Sequence, residues 1–355
     1  MERTKLLILR LTDRCNLSCR YCYAACGEGA DRKGTERSDM TPETAKQAVD
    51  LFAQPGDKLK IQFTGGEPLL CLDLMEEIFQ YGKYRGIQVL YSLQTNGTLL
   101  TPMACKLLKE MGCAIGVSLD GMGEGNGLRI HPDGKPAFEE ALEGIQTLRS
   151  LGMYCNLNAV VTRQNQAHLA QLIELAAYLG NVRGVGLDMF RPLGRGREKD
   201  LSPDLSALSA DIERMLEKRE ELQRLGVNIR IKELEKVRSM QRENRRETCY
   251  CYAQTGLSAA VDPRGDLYPC SSFVGMPDLC MGNVKTGISF AKSLSGLSGK
   301  CLSCADAAIC RGGCPAGRIA HRACSEGDCQ TVSEADCLMH RTIIHYASAG
   351  NQTEQ

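Results

Sequence analysis

Cys15, Cys19 and Cys22 stand at CxxxCxxC spacing directly after the apolar run Leu6-Leu7-Ile8-Leu9, with Tyr21 just before the last cysteine. Thiolates are the usual ligands of iron–sulfur clusters, and a four-iron cluster generally takes four of them. Three thiolates on one short loop can hold three irons and leave the fourth without a protein ligand. The loop therefore points to a cluster with an open coordination site.

The surrounding residues read as the elements that position this loop. Lys5 to Thr12 is strand-like, and the loop leaves its end. Leu59 to Phe63, Ile87 to Leu93, Cys113 to Ser118, Tyr154 to Val161 and Val182 to Met189 are further strands. Helices lie between them. Thr41-Pro42 and Thr101-Pro102 each pair an N-cap threonine with a proline at the first helical position. Leu72 to Tyr84, Pro136 to Leu151 and Asn165 to Leu179 carry helical periodicity. Strands alternating six times with helices predict parallel βα units, and α/β barrels place their chemistry at the strand ends. Six units fall short of the eight that close a barrel.

Polar or glycine-rich turns stand at those ends. Gly65-Gly66-Glu67-Pro68 follows the second strand. Two glycines let a backbone come close to a ligand, and Glu67 can accept from an ammonium group. Gln94-Thr95-Asn96-Gly97 closes the third strand, Ser118-Leu119-Asp120-Gly121 the fourth, and Asn158 lies on the fifth. Arg129, downstream, has the planar fork that suits a carboxylate. Arg191 to Arg197 carries three arginines among glycines. It reads equally as a cavity mouth or a solvated loop.

Taken together, Cys15, Cys19, Cys22 and Tyr21 with Gly65-Gly66-Glu67 resemble the cluster loop and GGE motif of radical S-adenosylmethionine (SAM) enzymes. The resemblance implies that the amino and carboxylate groups of SAM chelate the open iron. One electron then cleaves SAM to methionine and a 5′-deoxyadenosyl radical, which takes a hydrogen from the substrate. The resemblance also implies a partial (β/α)6 TIM-like barrel, in agreement with the six units. By that likeness Gly65, Gly66 and Glu67 meet the SAM amino group, Ser118 and Arg129 serve its carboxylate end, and Asp120 of the same segment is a further cofactor-binding residue. Gln94, Thr95, Asn96 and Asn158 face the site.

Composition narrows the class. The 355 residues include no Trp, 43% are hydrophobic, and the formal net charge is zero. That suits one large domain with a smaller one and argues against a nucleic-acid partner. There is no secretory signal pattern and no run of about 18 apolar residues, so a soluble cytoplasmic protein without membrane contact is expected. Nineteen cysteines in such a chain point to metal rather than disulfides. Cys71, Cys105, Cys113 and Cys155 sit singly in apolar patterns and read as small hydrophobes. Cys26 reads as an ordinary loop thiol.

Eleven cysteines fall between Cys249 and Cys337. Cys301-x2-Cys304-x5-Cys310-x3-Cys314 is a specific spacing. Cys270 follows an expected β-hairpin turning at Pro263-Arg264-Gly265, and Cys249 and Cys251 precede it. The ensemble resembles the SPASM domain of radical SAM peptide and protein maturases, which binds two auxiliary iron–sulfur clusters. By that likeness Cys301, Cys304, Cys310 and one late cysteine hold one cluster. Cys314 joins Cys270 and one or both of Cys249 and Cys251 in the other. Cys324, Cys329 and Cys337 are the candidates for the late ligand, with Cys337 preferred because it opens a final helix. Structural zinc is the competing reading of paired cysteines. The expected organisation is a barrel over 1–200, a helical bridge over 201–248, the SPASM domain over 249–345, and a disordered tail over 346–355.

The resemblance implies an anaerobic oxidoreductase drawing electrons from a flavodoxin or ferredoxin. Ser272-Phe273-Val274-Gly275 and Met281-Gly282-Asn283-Val284 resemble segments of peptide maturases, so a ribosomally made peptide joined by a thioether or similar cross-link is the expected product. A sulfatase-maturating enzyme producing formylglycine is the alternative. That family carries an Asp after the hairpin cysteine, where this chain has Ser271. A non-enzymatic iron–sulfur carrier leaves the GGE and SxDG segments unexplained. The cluster loop begins too early for an N-terminal leader-binding module, so a separate leader-binding protein is expected if a leader is read at all.

Overall fold

The computed structural model describes residues 5–26, 38–197, 200–242, 250–289, 294, 297, 299–322 and 333–350. Cys249 and the alternative ligands Cys324 and Cys329 lie outside them, as do residues 351–355.

Six parallel strands form the partial barrel: β1 (Lys5–Arg10), β2 (Lys58–Thr64), β3 (Gln88–Thr95), β4 (Ala114–Ser118), β5 (Cys155–Val161) and β6 (Val182–Met189). The helices α1 (Pro42–Phe52), α2 (Leu72–Tyr84), α3 (Pro102–Glu110), α4 (Phe138–Ser150) and α5 (Leu169–Leu179) cross between them. The expected starts hold for physical reasons. The Thr41 hydroxyl accepts from the Thr44 amide at 3.2 Å and Thr101 from the Ala104 amide at 3.3 Å, each with proline at the next position. β3 runs two residues past its expected end and so carries Gln94 and Thr95. The core lies between strands and helices, centred on Leu7, Leu9, Phe63, Leu93 and Ile145, all fully buried.

The stretch expected as a helical bridge is described over 201–242. α6 (Leu205–Arg224) packs against α5, and β7 (Arg230–Ile231) extends the parallel sheet beside β6 before α7 (Lys232–Arg242). These residues are wall of the barrel because Leu208, Ile212, Met215 and Leu216 bury their apolar face.

After the short helix α8 (Tyr252–Thr255), β8 (Ser258–Val261) and β9 (Asp266–Tyr268) form the expected hairpin. Asp262 accepts from the Arg264 and Asp266 amides at 2.9 Å each, and Gly265 takes a positive φ of 90°. β8 pairs in parallel with β1, so the cysteine-rich region continues the barrel sheet. β10 (Gly282–Asn283) and β11 (Gly287–Ile288) carry the sheet on from β9. The chain then forms α9 (Ala307–Cys310), α10 (Pro315–Arg322) and α11 (Glu334–Gly350). α11 enters the segment expected as a disordered tail, because Ile343, Ile344 and Ala347 are buried and the helix packs on α6. No helix among the described residues is long and apolar enough to cross a membrane.

Glu233, on α7, sits under β6 and accepts from the Leu187 amide at 3.1 Å. Burial pushes its carboxyl up to about 7. A carboxyl whose pKa rises on folding contributes stability that is fully present below its unfolded value and lost as pH rises through the folded one. Glu233→Gln should therefore leave thermal unfolding little changed at about pH 5 and raise the Tm at about pH 8. Equal shifts at both pH values would contradict this.

Candidate functional site

The cluster loop runs from the end of β1 across the mouth of β2. The Gly66 amide donates to the Thr12 carbonyl at 2.7 Å and the Glu67 amide to the Arg14 carbonyl at 2.8 Å. A Cβ on Gly66 would lie 1.9 Å from the Arg14 oxygen, and one on Gly65 2.8 Å from the Thr12 oxygen. The paired glycines are thus required by the crossing of the loop itself. On its other side the loop's Ser18 and Arg20 amides donate to the carbonyls of Ile130 and Leu128 at 2.7 and 2.9 Å. Leu17, Tyr21 and Cys19 pack beneath with Leu128, Ala137 and Phe190.

The three thiols share a charge environment. Burial raises Cys15 to about 12 and Cys19 to about 11, and each is lifted further by charge on Cys22. Cys22 goes the other way, down to about 5, because the Cys26 thiol, the amides of Ala24 and Cys26 and the charge of Arg195 stabilise its thiolate. The Leu17 amide donates to Cys15 Sγ at 3.4 Å. Asn96 Nδ2 stands 3.9 Å from the same sulfur. Cys26, read as an ordinary loop thiol, is buried beside Cys22 and receives Arg10 Nη2 at 3.1 Å. Its spacing gave no sign of this; the signal was Arg10, a charged residue ending a buried strand. Three thiols on one loop, with amide donors aimed at their sulfurs, fit a four-iron cluster.

The strand ends converge on this loop. Glu67 is fully buried, and burial lifts it to about 7. Its carboxylate accepts from the Leu69 amide at 3.1 Å, Thr95 Oγ1 at 2.7 Å and the Asn96 amide at 2.8 Å. A carboxylate offers about four acceptor positions, so one is left for a ligand. Asn96 also donates to Asn16 Oδ1 at 2.9 Å, tying the β3 turn to the loop. Asn158 Nδ2 donates to Gln94 Oε1 at 2.8 Å. That pair passes over Gly116, where a Cβ would lie 2.6 Å from both side chains. Ser118 is half-buried at the end of β4.

Asp120 and Arg129 depart from expectation. Asp120 accepts from the Tyr21 hydroxyl, from Arg129 Nε at 3.1 Å and Nη2 at 3.4 Å, and from the Val160 amide at 2.9 Å. Those four donors fill the carboxylate, which leaves Asp120 a positioning role rather than a ligand-binding one. Arg129 is held on Asp120 and stacks its guanidinium 5.5 Å from the Tyr21 ring centroid. Asn165 Nδ2 supports the same turn by donating to the Asp120 carbonyl at 2.9 Å.

The C-terminal thiols form two further sets. Cys301, Cys304, Cys310 and Cys337 line one hollow of about 450 Å³, open solvent included, beside Asp336 and Arg341. Burial lifts Cys310 to about 11, and charge on Cys337, Cys301 and Cys304 adds to the rise. Cys251 and Cys314 each sense charge on Cys270 instead, which groups those three. Cys314 also borders the first hollow, so it lies between the sets. Four thiols around one hollow, and three around a second point, are donor sets suited to iron–sulfur clusters. Lys236 stands 3.0 Å over the Tyr250 ring beside the second set, and the Tyr250 hydroxyl meets His340 Nε2 at 2.8 Å. Cys105, Cys113 and Cys155 are buried in the apolar core, as read from sequence.

The arginine loop after β6 is no solvated loop. Arg195 Nε donates to the Cys19 carbonyl at 2.9 Å, and its amide to the Cys22 carbonyl at 3.1 Å. Gly194, at φ 55°, packs so closely that a Cβ would lie 2.4 Å from the Cys22 oxygen.

Asp120→Ala would leave Arg129 as an uncompensated buried charge and free Tyr21. Breaking a buried pair of this kind costs about 3–5 kcal/mol. Anaerobic urea unfolding should show that loss. A change below about 1 kcal/mol, the range of exposed pairs, would remove Asp120 from the centre of the site.

The profile of the radical SAM superfamily matches residues 9–176. The chain is 32% identical over 287 residues to uncharacterized protein MJ0907 of Methanocaldococcus jannaschii, covering 80% of this chain and 90% of that one. It is 36% identical over 217 residues to an AdoMet-dependent heme synthase of Methanosarcina barkeri, covering 60% and 56%. Over 337 residues it is 29% identical to a serine-type anaerobic sulfatase-maturating enzyme of Klebsiella aerogenes, covering 88% and 79%. Its fold matches that of anSMEcpe, solved with AdoMet and the Cp18Cys peptide, at a TM-score of 0.80 with 20% identity over 98% of both chains. With three thiols on one loop beside a glycine-rich strand end of a partial parallel barrel, the chain is an enzyme of the radical SAM superfamily, which uses a [4Fe–4S] cluster and SAM.

Proposed function

We propose that this enzyme modifies a ribosomally made peptide, joining a cysteine sulfur to a carbon of the same chain as a thioether or similar cross-link. Cys15, Cys19 and Cys22 would hold the SAM-binding cluster. Cys251, Cys270 and Cys314, with Cys249, would hold one auxiliary cluster, and Cys301, Cys304, Cys310 and Cys337 the other. When bound, these groups supply the hydrogen-abstracting radical and an acceptor for the electron left on the substrate. The free acceptor position of Glu67 suits the SAM amino group, and Ser118 is the residue of its segment left for the carboxylate end. Gln94, Thr95, Asn96 and Asn158 form the wall between them. In the cytoplasm a flavodoxin or ferredoxin would provide the reducing electron.

The observation that carries this reading is the meeting of the first and second thiol sets. The loop after β6 spans them: Arg195 Nε donates to the Cys19 carbonyl at 2.9 Å, and Arg191 Nη2 stands 3.7 Å from Cys314 Sγ. A substrate side chain at the barrel mouth would therefore lie near both. Ser271 stands where the sulfatase maturases carry an acid, and an alcohol cannot take up a proton as a carboxylate does. That favours a cross-link over formylglycine. The heme synthase relative supports a porphyrin substrate as the second reading.

The test incubates anaerobically reconstituted enzyme with SAM, a reductant and the short peptides encoded beside its gene. A cross-link removes two hydrogens and blocks alkylation of one cysteine. An aldehyde trapped by a hydrazine would assign formylglycine instead. 5′-Deoxyadenosine formation stimulated by a haem-precursor porphyrin and by no peptide would overturn the proposal.

A further inference from the structure

The eight residues after β6 reach both thiol sets at once. Arg195 and Gly194 grip the carbonyls of the cluster loop, as described. Arg191, three residues earlier, points the opposite way. Its Nη2 stands 3.7 Å from Cys314 Sγ, its Nη1 donates to Ser272 Oγ at 2.8 Å, and Nη2 also faces Asp188 Oδ1 at 3.4 Å. Only 15% of the Arg191 side chain is exposed, against 63% for Asp188. Burial alone would lower the guanidinium pKa, but charge on Cys314, Asp188, Asp336 and Cys270 outweighs it and holds the group cationic. Charged groups around this thiol set include Arg191, Lys236 and Asp336, with Asp188 facing Arg191 and Lys232 and Glu233 beside Lys236. Arg191 alone among them has a donor on a ligand sulfur in the described contacts.

Net charge and hydrogen bonds to the sulfurs are the chief protein controls on the reduction potential of an iron–sulfur cluster. A cation on a ligand sulfur favours the reduced, more negative state. We infer that Arg191 is a positioning residue that raises the reduction potential of the cluster held by Cys251, Cys270 and Cys314, with Asp188 moderating it. This rests on the reading that those thiols hold a cluster. The anchoring of the same loop on the carbonyls of Cys19 and Cys22 fixes where Arg191 reaches, so the electron acceptor is tuned by a residue attached to the radical-generating loop.

The experiment is an EPR-monitored redox titration of the auxiliary clusters in the C15A/C19A/C22A background, where the SAM-binding cluster is absent. Arg191→Gln should keep the iron content of its parent and lower one of the two midpoint potentials by about 59 mV or more, a tenfold change in a one-electron equilibrium. Arg191→Lys, which keeps the charge without the fork, should restore part of the shift. Asp188→Asn, at an exposed carboxylate, should raise the same midpoint. The second auxiliary signal, from the set around Cys301, should stay in place in every variant. Midpoints unmoved in both Arg191→Gln and Asp188→Asn overturn the inference. Should Arg191→Gln shed auxiliary iron, Asp188→Asn decides: a raised midpoint sustains the tuning role, and an unmoved one makes Arg191 a structural tie. A parent protein that holds no iron at the C-terminal thiols fails the underlying reading instead.

Discussion

The site depends on one buried carboxylate. A loop that devotes three side chains to metal has little apolar surface left with which to fix itself, so its shape must come from its neighbours. Asp120 supplies this. At 2% exposure it gathers the Tyr21 hydroxyl, the Arg129 guanidinium and the Val160 amide. Tyr21 belongs to the cluster loop, Arg129 to the segment whose carbonyls receive the loop's amides, and Val160 to β5. One carboxylate therefore sets the loop against two strands. Buried charge is costly unless every acceptor position is used, and here the four contacts use them.

The remaining contacts extend the same plan outward. The glycines after β2 let the loop cross at hydrogen-bonding distance, and Glu67 joins the β2 and β3 turns beneath it. On the far side the arginine loop after β6 closes over the carbonyls of Cys19 and Cys22. The parallel pairing of β8 with β1 then brings the hairpin cysteine to the strand from which the cluster loop departs. Sheet continuity places the hairpin cysteine relative to the cluster loop, and packing of α11 on α6 and α7 places the set around Cys301.

Much of this was legible in the sequence where the signal is local. Threonine–proline pairs marked helix starts, Pro263-Arg264-Gly265 marked the hairpin, and the cysteine spacings marked the thiol groups. What was not legible depends on partners far along the chain. Glycines at 65 and 66 read as room for a ligand, and the structure shows that the carbonyls of Thr12 and Arg14 need the same room. Asp120 read as a ligand because its partner Tyr21 lies 99 positions away. The segment from Tyr346 onward read as tail because the apolar face that α11 covers belongs to α6. Cys26 read as a loop thiol because no spacing rule links it to Arg10. Each miss is a tertiary contact overriding a sound local reading.

The central claim is that three separate thiol sets hold clusters and that only the first reacts with SAM. The most direct measurement is iron content and 5′-deoxyadenosine formation after anaerobic reconstitution of the wild type and of a Cys15/Cys19/Cys22→Ala variant. The wild type should hold about 12 irons per chain, and the variant about 8 with no 5′-deoxyadenosine formed. SAM cleavage that survives in the variant would contradict the account.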